Sequence, residues 1–165
     1  MRTIQLTQGF STVVDDEDFD RLNQFKWCAA VREHVVYAAR WTPEGGVLMH
    51  REILGPDRAL EVDHRDGDGL NNRRCNLRPS SRSQNQANSR KREGSASKFK
   101  GVSRYKSGWR ARIGRDGGDF LGCFKSETDA ALAYDQAARA RWGDFARLNF
   151  PTVVKTPLKF YEPLV

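Results

Sequence analysis

Apolar and polar positions alternate in short runs through residues 1–60: "TIQL", "FSTVV", "FKWCAAV", "VVYAARW" and "GVLMH". Such alternation predicts strands with one face buried. "DDEDFDRLNQF" breaks the rhythm. It opens on acids and spaces Phe19, Leu22 and Phe25 three apart, which predicts a short helix with negative charge at its N-terminus. "TPEGG" is a turn, and "HREILG", from His50, predicts a second short helix stopped by Gly55-Pro56.

The pattern returns after residue 98. "FKGVSRY", "GWRARIGR" and "DFLGCFK" are strand-length runs separated by "KSG" and "DGG" turns. "SETDAALAYDQAARARWGD" then predicts a helix, with Ser126 and Asp129 as a capping box and Gly143 just past its end. Ala130, Ala133, Ala137 and Ala140 form a small-residue stripe that would let the helix lie close on the sheet, leaving the other sheet face for a ligand. A generic alanine-rich surface helix is the alternative, since alanine is the best helix former. Residues 89–98, "SRKREGSASK", lack large apolar residues and read as a linker. The expected fold class is α+β. The expected divisions are 1–90, a β-rich start with a polar segment; 91–98, a basic linker; 99–151, a three-stranded antiparallel sheet plus helix; and 152–165, a tail without clear pattern.

The chain has 165 residues, enough for one ordinary domain or two small ones. It contains no run of about 18 apolar residues, so no membrane span is expected. "MRTIQLTQGF" lacks an apolar signal core, so a cytosolic, unsecreted protein is expected. Cys28, Cys75 and Cys123 are too few and too far apart for a disulfide framework or a zinc ribbon, and reduced structural thiols are expected. The net charge of +7 is unevenly spread. Residues 73–115 carry fourteen Lys and Arg against Glu93 alone. A segment so one-signed calls for a polyanion, and without the apolar stripe of a membrane-surface helix the expected partner is nucleic acid phosphate.

Between these patterns lies "EVDHRDGDGLNNRRCNLRPSSRSQNQAN", residues 61–88, where Asp63-His64 is followed by five asparagines. Asp, Asn and Gly form turns, so a plain loop is one reading. A calcium loop is excluded, because counting from Asp66 puts Leu70 at position 5 and Leu77 at position 12. His64, Asn76 and Asn85 are spaced by 12 and 9 residues.

That spacing, with Asp63-His64, Asn71-Asn72, Asn76-Leu77-Arg78 and the upstream "MHREILGP", resembles the HNH endonuclease family, in the H-N-N variant of phage-borne and intron-borne homing endonucleases. The resemblance implies a ββα-metal element, with a strand ending near His64, a loop over 65–72 and a helix beginning near Ser80–Ser83. It implies that His64 is the general base and that Asn76 orients it. Asp63 and Asn85 would hold one Mg²⁺ or Mn²⁺, hard oxygen ligands for a hard cation. Asn85 stands where many members have a third histidine. Neighbouring Asp63 and His64 on a strand face opposite ways, so a bulge or the strand's end must gather them, or they flank the scissile phosphate. Asn72 and Asp66 are expected to shape the loop, His50 to be structural, and His34 an exposed turn residue.

"GV" at 101–102, "LGCF" at 121–124, "AALAYDQAA" at 130–138 and "LNFP" at 148–151 resemble the AP2 DNA-binding domain over residues 98–151. In that family the sheet enters the major groove and the helix packs behind it. The resemblance puts Arg104, Tyr105, Trp109, Arg110, Arg112 and Arg115 on DNA-facing strands; for Trp109 a place in the core is the alternative. Ser103 stands where arginine is usual. Arg78, Arg82, Arg90, Lys91 and Arg92 are expected on the phosphate backbone. The expected function is a metal-dependent DNA endonuclease guided by an AP2-like reader. Its expected partner is double-stranded DNA, with no membrane and no small-molecule cofactor, and its expected state a monomer. A non-catalytic DNA-binding regulator and an RNA binder are the alternatives.

Overall fold

A computed structural model describes residues 1–32, 35–55, 57, 59–91, 94–114 and 118–151. His34, Arg92, Arg115 and the tail 152–165, for which the sequence raised expectations, lie outside the described residues. The fold is α+β and divides into two compact units, Met1–Asn85 and Gln86–Val165.

In the first unit β1 (Arg2–Gln5) and β2 (Ser11–Val14) form an antiparallel hairpin. Helix α1 (Asp16–Leu22) follows, with Asp16, Glu17 and Asp18 in its first turn. β3 (Cys28–Arg32), β4 (Val35–Thr42) and β5 (Gly45–Leu48) make an antiparallel meander. Helix α2 (Met49–Leu54) ends at Gly55, as its sequence predicts. β6 (Glu61–His64) and β7 (Leu77–Ser80) pair antiparallel, and α3 (Arg82–Asn88) completes a ββα element. The division between units falls inside α3. The first core gathers Ile4, Val14, Leu22, Trp27, Ala38, Met49, Ile53, Val62 and Leu77. Trp27 is seated there by an indole N–H donated to the Leu22 carbonyl at 2.8 Å.

The second unit has β8 (Val102–Tyr105), β9 (Gly108–Ile113) and β10 (Asp119–Phe124), ordered β10-β9-β8, against α4 (Glu127–Trp142). Ser126 caps α4 by accepting the Asp129 amide. The buried face of α4 is Ala130, Ala131, Tyr134 and Ala138, with Ala137 packed at its edge, so the expected stripe holds at Ala130 and Ala137 but not at Ala140, which is exposed. Alanine is so frequent in α4 that its spacing does not mark the buried side; Tyr134 does. The buried Asp135 carboxylate accepts the backbone amides of Asn149 and Phe150, both at 2.8 Å, which ties "LNFP" to α4. Ser97, in the expected linker, is buried and donates to Glu127 at 2.8 Å.

Gly101 has φ +76, and a Cβ there would run into the Tyr134 ring. Gly143 also has positive φ, but faces open space. Gly101→Ala is therefore expected to destabilise the second unit by about 1–3 kcal/mol through overpacking, on top of the backbone cost of about 1–2 kcal/mol that Gly143→Ala alone also carries. Denaturant unfolding of the two variants checks the order.

Candidate functional site

The reactive cluster is built on the β6–β7 hairpin. Pairing runs unbroken from Glu61↔Ser80 to His64↔Leu77, so no bulge rotates Asp63 and His64 onto one face. Of the expected ways to gather them, the bulge is absent, and His64 is the last residue of β6.

On one face lie Glu61 and Asp63, two residues apart. Asp63 pairs across the hairpin with Arg78, whose Nε and a terminal nitrogen both donate to Oδ2, at 2.8 and 2.7 Å. Both side chains are buried. The structure thus gives Arg78, expected on DNA phosphate, a carboxylate neighbour inside the protein. Helix α3 is capped reciprocally: Ser81 Oγ accepts the Gln84 amide at 3.2 Å, and Gln84 Oε1 accepts the Ser81 amide at 2.8 Å. The helix so started carries Asn85, whose Nδ2 donates to Glu61 Oε2 at 2.6 Å. Glu61 is thus a site neighbour that sequence reasoning missed. Asp63 is thus engaged by Arg78, and Glu61 receives the amide nitrogen of Asn85. Among the described residues no three His, Cys, Asp or Glu side chains converge as a metal cluster.

On the other face His64 is buried, 4.9 Å from the His50 ring and 5.9 Å from Tyr37, measured between centroids. Its Nε2 lies 3.2 Å from Asn72 Oδ1. Burial lowers its pKa, outweighing the Asn72 hydrogen bond and the charges of Asp66, Asp63 and Asp68, which raise it. The imidazole is therefore neutral at neutral pH. Asn76, expected to orient His64, acts on the loop. Its Oδ1 accepts the Asp66 amide at 3.1 Å, and its Nδ2 donates to Asp66 Oδ1 and the Asn71 carbonyl. Asp66 also receives Asn71 Nδ2 and the Asp68 amide. Burial raises the pKa of Asp66, but these hydrogen bonds and the nearby His64 outweigh it and hold the carboxyl below its usual range. The loop is a structured hydrogen-bonded turn that positions both strand ends.

His50, expected to be structural, is buried and packs edge-on against the His64 ring. Burial first, then the charges of His64 and Arg51, push its pKa down to about 3. Its folded pKa lies below its unfolded value, so its contribution to stability is complete above about pH 6.5 and is lost as pH falls toward 3. Tyr37 and His64 face it, and Arg51 is its neighbour in α2. Between pH 6.5 and 5.5, where ordinary carboxylates remain mostly ionised, the first unit is expected to lose up to about 1.4 kcal/mol per pH unit for each buried histidine. Hydrogen exchange of the Val14 and Val62 amides follows it, and His50→Gln should flatten the slope.

Arg73 and Arg74 pair with α1, through Asp15 and Asp18 respectively. Arg82 and Arg90 are exposed, and Lys91 is half-buried.

In the second unit register sorts the sheet's two faces. Val102 and Ala111 are paired and buried against α4, as is Ile113. Trp109 shares that face and packs on the same core, and Arg104, its cross-strand partner, lies over its ring at 4.9 Å. Trp109 thus takes the core alternative. The opposite face carries Ser103, Tyr105, Arg110, Arg112, Phe120 and Cys123. Arg110 lies over the Tyr105 ring at 5.1 Å, and Phe120 is exposed. Phe120 was missed because "DFLGCF" does not show which side Phe120 takes; the register shift between Phe120 and Gly122 decides it.

Residues 47–87 match a family model described as HNH endonuclease. Among curated proteins the chain is 48% identical over 59 residues to dehydration-responsive element-binding protein 2C of Arabidopsis thaliana, which covers 33% of this chain and 17% of that protein. It is 56% identical over 32 residues to dehydration-responsive element-binding protein 2E of the same plant, covering 19% and 13% respectively. The chain thus spans less than a fifth of the length of these two relatives. No solved structure matches it. No helix among the described residues is long and apolar enough to cross a membrane. The chain is therefore similar to HNH endonucleases over residues 47–87 and is also similar, over part of its length, to these element-binding proteins.

Proposed function

We propose that the protein is a divalent-metal-dependent DNA endonuclease, with a hydrolytic centre on the ββα element of the first unit and a duplex reader on the open sheet face of the second. The observation that carries this reading is a buried histidine, neutral at neutral pH, at the end of a strand whose opposite face presents hard oxygen donors. A neutral imidazole has a lone pair to take a proton from the attacking water. Asp63 and Asn85, with Glu61 beside them, would hold one Mg²⁺ or Mn²⁺, which when bound neutralises charge on the scissile phosphate and its leaving oxygen. Arg78 holds Asp63 in place. In the reader, Arg110 and Arg112 have the donor geometry to recognise guanine, while Tyr105 and Phe120 offer apolar surface to sugar or thymine methyl. The basic residues Arg82, Arg90 and Lys91 contribute affinity without base information.

A regulator that binds duplex DNA without cutting it is the competing reading, supported by the closed Asp63–Arg78 pair. Incubating the full chain with plasmid DNA and Mg²⁺ or Mn²⁺, against an EDTA control, separates the two. The endonuclease reading expects nicked or linear DNA only with the divalent ion. Tight binding with intact plasmid under every divalent ion means the regulator.

A further inference from the structure

We propose that Thr12 and Asn72 are positioning residues that hold the His64 ring with its proton on Nε2 and its lone pair on Nδ1. This rests on the nuclease reading for its consequence, but not for its geometry. Thr12 Oγ1 lies 2.7 Å from the Leu70 carbonyl oxygen and 2.7 Å from Asn72 Nδ2. A hydroxyl has one proton, and a carbonyl cannot donate. The proton therefore lies between Thr12 and Leu70, and the hydroxyl accepts from Asn72. That fixes the amide: its nitrogen faces Thr12 and its oxygen faces His64 Nε2 at 3.2 Å. An amide oxygen only accepts, so Nε2 carries the hydrogen. Neutral imidazole has one N–H, so Nδ1 is left as the basic nitrogen.

Turning the amide over would set its oxygen 2.7 Å from a hydroxyl whose proton is already committed, and would leave it facing the Gly69 carbonyl, now 3.5 Å from Nδ2. Both Thr12 and Asn72 are fully buried, so bulk solvent cannot compensate. Backbone bonds lock the same contact: the Val13 amide donates to Leu70 at 2.9 Å, and the Asn72 amide donates to Val13 at 2.8 Å. The β1–β2 hairpin, which has no role in the motif, thereby becomes the support that sets the state of the general base.

The test uses the full chain labelled with ¹⁵N, at pH 8, where the imidazole is neutral. Ring ¹⁵N shifts report the His64 tautomer in wild type, Thr12→Ser and Thr12→Val. The expected result is the Nε2–H form in wild type and Thr12→Ser. Thr12→Val keeps the shape but neither donates nor accepts, and should give a mixed or reversed tautomer. Its kcat for plasmid cleavage should fall about 10–100-fold with KM unchanged, and Thr12→Ser should restore it. An Nδ1–H form in the wild type, or a folded Thr12→Val with unaltered tautomer, overturns the proposal. Should Thr12→Val not fold, the wild-type and Thr12→Ser spectra decide. If the Nε2–H form is found but no DNA is cut, the nuclease reading falls and the positioning of the ring stands.

Discussion

His64→Ala is expected to lower the rate of DNA cleavage by about 10²–10⁴-fold, the usual contribution of a positioned general base, while duplex affinity stays within about twofold of wild type. The split follows from where the residue sits. His64 is buried among Tyr37, His50 and Asn72 in the first unit, whereas the arginines proposed to read bases lie on the sheet of the second. Removing the imidazole takes away a neutral, basic group at the end of β6, and no positive charge is lost. Single-turnover cleavage and a gel-shift titration at one salt concentration measure the two quantities. Equal losses in both would mean that the residue supports the fold rather than the chemistry, and the unfolding curve of the variant would show it.

The second large effect is on stability. Arg78→Ala leaves the Asp63 carboxylate buried without its guanidinium, which typically costs about 3–5 kcal/mol. The pair is 2.7 Å apart, both side chains are almost wholly buried, and it ties β6 to β7 at the level of the site. Arg78→Lys keeps the charge but cannot deliver two N–H groups to the same oxygen, so it is expected to fall between wild type and alanine. Denaturant unfolding gives the values. A change under about 1 kcal/mol for Arg78→Ala would place the pair among exposed ion pairs and contradict its role in holding the hairpin.

Much of this architecture is written locally. The alternation in residues 1–48 predicts β1 to β5 to within a few residues, and Gly55 and Ser126 mark helix ends by their backbone and capping chemistry. The ββα element is recognisable because its polar residues recur at fixed spacing. What is not legible depends on register and on contacts distant in sequence. β7 contains Pro79 and a buried arginine, and nothing in "LRPS" announces that Arg78 faces Asp63 rather than solvent. Asn72 and Asn76 are chemically identical, so only their distances tell which one meets His64 and which closes the loop on Asp66. Thr12 stands 60 residues from Asn72 and carries no local signal of that bond. Trp109 alternates with Arg110, and a period of two leaves undecided which of them faces α4 until Ala111 and Ile113 are seen to be buried.

The central claim is that one chain joins a hydrolytic centre to a separate duplex reader. Mapping cleavage ends on a randomised duplex library tests it most directly, comparing wild type with the double variant Arg110→Ala/Arg112→Ala. The account predicts wild-type ends at a fixed offset from a common sequence, and scattered ends for the variant, with cutting retained at low salt. Ends that scatter alike in both proteins, or a wild type that leaves every strand intact, would contradict it.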